Sequence, residues 1–95
     1  MSPSYRPVLS SGFKRDLRLL TQKNEALLED TKHALSILET DPLNLSRQYQ
    51  ITKLKGLKAG QGQWRIRVGG YRIRYDVIGQ DVLLHSFKDR KDVYK

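Results

Sequence analysis

Residues 64–77 read Trp64-Arg65-Ile66-Arg67-Val68-Gly69-Gly70-Tyr71-Arg72-Ile73-Arg74-Tyr75-Asp76-Val77. Apolar and charged residues alternate on both sides of Gly69-Gly70, the period of strands whose two faces meet different surroundings. Diglycine between two such runs signals a two-residue β-hairpin, because both turn positions can take positive φ. If Val68 faces Tyr71 across the turn, Arg67 faces Arg72 and Arg65 faces Arg74. All four arginines then leave the sheet on one side. Like charges directly opposite cost roughly 0.2–1 kcal/mol per pair, so selection for stability alone does not account for them. A bound polyanion would offset the repulsion. The plainer structural alternative is a twisted edge from which the arginines splay into water.

Downstream, a second tight turn at Gly79-Gln80 leads into a strand over Asp81–Phe87. Continuing the register sets Ile78 against Asp81, Arg74 against His85 and Arg72 against Phe87. The exposed face is therefore expected to carry arginines, an imidazole and an aromatic ring together. Guanidinium forks suit phosphate oxygens, and a flat ring stacks on an unpaired base. The structural alternative leaves His85 and Phe87 partly buried by the tail.

Upstream, Tyr5–Leu9 reads as a short strand whose Pro7 demands an edge. Ser10 or Ser11 caps a helix with Phe13, Leu17 and Leu20 on one face. A second helix over about Glu25–Thr40 has the stripe Leu27, Leu28, Thr31, Leu35 and Leu38, and ends at Asp41-Pro42. Residues 43–63 read as a loop containing Gly56, Gly60 and Gly62, with no phosphate-binding or dinucleotide fingerprint. The expected fold is α+β, in the order β-α-α-β-β-β. A helical hairpin packs on one face of a mainly antiparallel four-stranded sheet, in a single domain over 1–95.

The chain carries 18 Lys and Arg against 10 Asp and Glu, a net charge of +8. Residues 1–52 hold 7 basic and 6 acidic residues, and residues 53–95 hold 11 and 4. A basic half is the footprint of a polyanion binder, although many charge runs are only solvated surface. There is no cysteine and there are two histidines, far apart in sequence, so neither a metal nor another cofactor is expected. No apolar leader or membrane-length stretch is present, which fits a cytoplasmic protein with no membrane partner. In the tail, Tyr94 lies close enough to the basic strands for a cationic neighbourhood to favour its phenolate, making it a plausible proton acceptor.

Leu54-Lys55-Gly56, Trp64-Arg65-Ile66-Arg67-Val68-Gly69, Gly70-Tyr71-Arg72-Ile73-Arg74-Tyr75 and Arg90-Lys91-Asp92-Val93-Tyr94 together resemble the RelE branch of the RelE/ParE toxin superfamily. The resemblance covers nearly the whole chain. It implies a type II toxin–antitoxin toxin that enters the ribosomal A site and cleaves messenger RNA without a metal, restrained by a cognate antitoxin. It implies a catalytic cluster of Arg65, Arg67, Arg72 and Tyr94, with either Lys88 or Arg90 as a basic residue after the last strand. Lys53, Lys55 and Lys58 are then expected to grip RNA backbone, with Arg74, His85, Phe87 and Lys88 completing the RNA-binding face. Arginine stands where lysine is common in the family at 65 and 67, and Asp89 where histidine is common. Two rival functions share this pattern: a ParE-like inhibitor of DNA gyrase, and a nucleic-acid-binding module without catalysis.

Overall fold

The computed structural model describes residues 4–89, so Arg90 and Tyr94 lie outside the described residues. Strand β1 (Arg6–Leu9) leads into helix α1 (Ser11–Lys23), whose N-terminus is capped by Ser10. The Ser10 hydroxyl accepts from the Phe13 amide at 3.0 Å, a cap that stabilises a helix by about 1 kcal/mol. Helix α2 (Ala26–Thr40) follows, and the strands β2 (Ile51–Lys53), β3 (Trp64–Val68), β4 (Tyr71–Ile78) and β5 (Asp81–Asp89) complete the order. The sheet runs β1-β5-β4-β3-β2, with β1 parallel to β5 and every other pair antiparallel.

The expected α+β fold with two helices on one sheet face holds, and Pro7 sits on an edge strand. The sheet has five strands rather than four. Ile51-Thr52-Lys53 pairs with Ile66, Arg65 and Trp64, but three residues are too few to show an alternating pattern. The stripe on α2 also differs, with Ala34 buried in place of Leu35, which is half-buried. Leu27, Thr31, Ala34 and Leu38 are buried, whereas Leu28 is exposed.

Both hairpins turn on two residues, with positive φ at Gly69 (60°) and Gly79 (60°) and not at the residue that follows. That is the type II′ pattern, in which only the first turn residue must be glycine. Gly69→Ala is therefore expected to cost about 1 kcal/mol, and Gly70→Ala to leave stability unchanged or slightly raised. Urea denaturation midpoints would show the difference.

The register across Gly69-Gly70 is the expected one: Arg65 pairs with Arg74 and Arg67 with Arg72. The next register is not. Pairing runs Ile78↔Asp81 to Tyr75↔Leu84, then shifts by one, so that Arg74 faces Ser86, Ile73 faces Phe87 and Arg72 faces Lys88. His85 is the extra residue of a β-bulge, and a one-residue slip exchanges the two faces of the strand beyond it. Phe87 consequently points into the core, where it is 1% exposed, stacks on Phe13 at 5.8 Å and meets the Tyr71 ring edge-on at 5.9 Å.

Strand β1 pairs only with residues 81–84 of β5. Beyond it, α1 and its cap cover the edge as far as Phe87. Ser10 donates its amide to the Leu84 carbonyl (3.1 Å) and its hydroxyl to the His85 carbonyl (3.2 Å). The Phe87 amide donates to buried Asp16 (3.0 Å), whose other oxygen accepts from Lys88 Nζ (3.1 Å). No backbone donor of this stretch is left for an intruding strand at that amide.

Candidate functional site

On the face away from the helices, the register lays residues out as a grid. One row crosses the sheet as Arg67, Arg72 and Lys88, the next as Thr52, Arg65, Arg74 and Ser86. Arg65, Arg67 and Arg72 line one cleft of about 300 Å³ together with Tyr49, Gln50, Ile51 and Thr52. Arg67 is exposed, Arg65 half-buried, and Arg72 buried at 4% exposure. The Arg67 amide donates to the Gln50 carbonyl at 3.0 Å, carrying the β2–β3 contact one residue further and placing Gln50 beside the arginine row.

The fourth arginine has another task. Arg74 donates from Nε to the Gly62 carbonyl (3.2 Å) and from Nη2 to the carbonyls of Gln61 (2.8 Å) and Gly62 (3.0 Å). Asp76, buried beside it, accepts from the Gly62 (2.9 Å) and Gln63 (3.0 Å) amides and hydrogen-bonds His85 Nε2. These two side chains strap residues 60–63 across one end of the face. Gly62 lies at φ 77°, and a Cβ there would sit 3.2 Å from Arg74 Nε, so the strap needs glycine. Burial on its own would raise the Asp76 carboxyl, but the amides of Gln63, Gly62 and Gly60 and the His85 imidazole outweigh it and hold the group below its ordinary value.

The residues expected to form an RNA-binding face therefore separate. Arg65, Arg67 and Arg72 meet in the cleft. Arg74 and His85 lie on the same face but are committed to the strap, and Lys88 reaches round the sheet edge to Asp16. Phe87 is a correction: the bulge turns it into the core, so it offers no ring to a base. Lys53 pairs with Trp64 and places Nζ 5.7 Å from that ring's centre, exposed on the face opposite the arginines. Lys55 and Lys58 are exposed on the loop after β2 and do not line the cleft. Among the described residues no cluster of three His, Cys, Asp or Glu could hold a metal, and no helix is long and apolar enough to cross a membrane.

Tyr49, Gln50 and Thr52 were not legible as site residues, since they lie where the sequence reads as loop. The local fold explains their placement. Asp41 accepts from the Leu45 and Ser46 amides and the Ser46 hydroxyl, and the buried Tyr75 hydroxyl donates to the Pro42 carbonyl at 2.7 Å. Asn44, at φ 54°, holds the Tyr49 backbone at both ends, accepting from its amide (3.2 Å) and donating to its carbonyl (2.9 Å).

A family model described as the ParE toxin of type II toxin–antitoxin system, parDE, matches residues 8–94. The chain belongs to the ParE toxin family. This places it in the RelE/ParE superfamily, as the sequence motifs imply. The fold agrees. The ParE-family chain superimposes on YafQ in the E. coli DinJ–YafQ toxin–antitoxin complex with a TM-score of 0.74, 16% identity, and 97% and 99% of the two chains covered. It matches RelE in the RelE–RelB complex of Pyrococcus horikoshii OT3 with a TM-score of 0.69, 22% identity, and 92% and 96% covered. For the antitoxin–toxin complex of Methanococcus jannaschii the TM-score is 0.56 at 25% identity, with 92% and 94% covered. No curated protein sequence matches the chain at a significant level.

Proposed function

We propose that this toxin is a ribosome-dependent endoribonuclease that cleaves messenger RNA in the A site and is held inactive by a cognate antitoxin. The observation that carries the reading is the convergence of Arg65, Arg67 and Arg72 on one cleft of about 300 Å³. Three cations at close quarters suit the charge of a phosphorane, which is larger than that of the phosphodiester it forms from. The resemblance to YafQ and RelE chains solved with antitoxins supports the partner.

In the proposed step, Tyr94 accepts the proton of a ribose 2′-OH. The 2′ oxygen attacks the adjacent phosphorus, the bond to the 5′ oxygen breaks in line, and that oxygen takes a proton from water. The products are a 2′,3′-cyclic phosphate and a 5′-hydroxyl. Arg67 and Arg72 stabilise the phosphorane, while Arg65 lowers the pKa of the 2′-OH or of Tyr94. Arginine is always protonated, so none of the three moves the proton itself. The basic group that serves the leaving oxygen is either Lys88, which Asp16 engages, or Arg90.

Messenger RNA from an in vitro translation reaction with purified toxin, mapped by primer extension, is expected to show cuts at codon positions. The same RNA without ribosomes should remain whole. No cuts from folded protein would remove the nuclease reading. One observation favours a second reading: the matching family model is described as a ParE toxin. Inhibition of gyrase supercoiling by the purified protein, without messenger cleavage, would establish that function instead.

A further inference from the structure

We propose that Tyr49 is a base-stacking platform of the arginine cleft, taking the base of a nucleotide whose phosphate the arginines hold. The inference rests on the RNA reading of the cleft and adds the element that positions a base. Tyr49 lines the same cleft as Arg65, Arg67 and Arg72. It is half-buried against the edge of the core, yet its ring pairs with no aromatic ring and lies under no cation among the described residues. No hydrogen bond to its hydroxyl occurs among them either, although its backbone amide and carbonyl are both bound by Asn44. An aromatic residue beside phosphate-seeking cations is thus held firmly by its main chain, packs one part of its side chain on the core, and has no ring or cation stacked on it among the described residues.

That combination is what base stacking needs. Every base has a π-face, and an aromatic ring fixed in advance loses little conformational freedom on binding. The loop carrying it is secured at Asp41, Asn44 and the Pro42 carbonyl, so the ring is placed by the fold. Gln50 and Thr52, which line the cleft beside it, offer hydrogen-bonding groups to a base edge. The cleft volume of about 300 Å³ is at the small end of ligand-sized sites, matching one nucleotide better than a length of strand. Phe87, which sequence reading placed on this face, is in the core, and Tyr49 is the ring that stands there in its place.

The test uses a short single-stranded RNA, 2′-O-methylated to block cleavage and carrying one 2-aminopurine, whose fluorescence falls when it stacks. Wild-type protein is expected to bind with quenching, and Tyr49→Phe to match it within about twofold. Tyr49→Leu is expected to bind about tenfold more weakly without quenching. Thermal melts confirm that each variant is folded, and quenching by wild type is a readout independent of any variant. Binding without quenching, or unchanged binding and quenching by Tyr49→Leu, overturns the platform while leaving the arginine cleft in place. Loss in Tyr49→Phe equal to that in Tyr49→Leu also overturns it, assigning the role to the hydroxyl. Binding that Arg67→Gln does not weaken overturns the RNA reading of the cleft and the platform with it, whereas no binding by wild type overturns the platform and leaves the ribosome-dependent reading to the translation assay.

Discussion

Arg67→Gln is expected to reduce ribosome-dependent cleavage about a hundredfold or more, because losing one donor to a developing oxyanion typically costs 10²–10³ in rate. The same change should leave the fold at least as stable. Arg67 is exposed and stands directly opposite Arg72, so removing its charge relieves a repulsion of roughly 0.2–1 kcal/mol. Activity and stability are thus expected to move in opposite directions, which a merely structural arginine would not produce. Single-turnover cleavage on programmed ribosomes and urea denaturation measure the two. An unchanged rate would take Arg67 out of the site, and a parallel loss of stability would make it a structural residue. Arg74, engaged with the Gln61 and Gly62 carbonyls, should behave in that second way when changed to Gln.

Asp76→Ala is expected to lower stability by about 3 kcal/mol, since it leaves two amides and an imidazole without their acceptor under the strap. For a domain of this length the melting temperature should fall by roughly 15 °C. The pH profile provides a second check. The folded Asp76 carboxyl lies below its ordinary value of 3.8, so its stabilisation is complete above about pH 4 and drains away as the pH falls through the depressed value. The Ala variant should lack that part of the acid-side decline. A wild-type profile below pH 4 that Asp76→Ala reproduces in slope would mean the carboxylate does not hold the strap.

The hairpin at Gly69-Gly70 was readable to the residue, because alternation and turn length together allow one register. The next hairpin was not, though its Ile78↔Asp81 start was right. Nothing local in Leu83-Leu84-His85-Ser86 announces a bulge. It is set by distant groups: Phe13 drawing Phe87 inward, Asp16 taking the Phe87 amide, and Asp76 holding His85. The arginine cleft was legible in its basic residues and not in its wall, since Tyr49, Gln50 and Thr52 depend on the Asp41 and Asn44 loop and on a three-residue strand. The side on which Lys53 stands was not legible for the same reason, as it is decided by pairing with Trp64. The helices were legible from spacing and from the Ser10 cap, with Leu28 the position where period alone misjudged exposure.

The parallel pairing of β1 with β5 joins residues 6–9 to residues 81–84. During synthesis the opening strand and the helix capped by Ser10 must wait for α2, β2, β3 and β4, because the strand they dock on, β5, is made after all of these. The hairpin that carries Arg65, Arg67 and Arg72 is local and can close early. Its supporting layer cannot, since Phe13 has no Phe87 to stack on until β5 emerges. A toxin emerging from the ribosome is therefore expected to close its arginine hairpin before the layer that braces it, a delay built into the order of the strands rather than into any inhibitor.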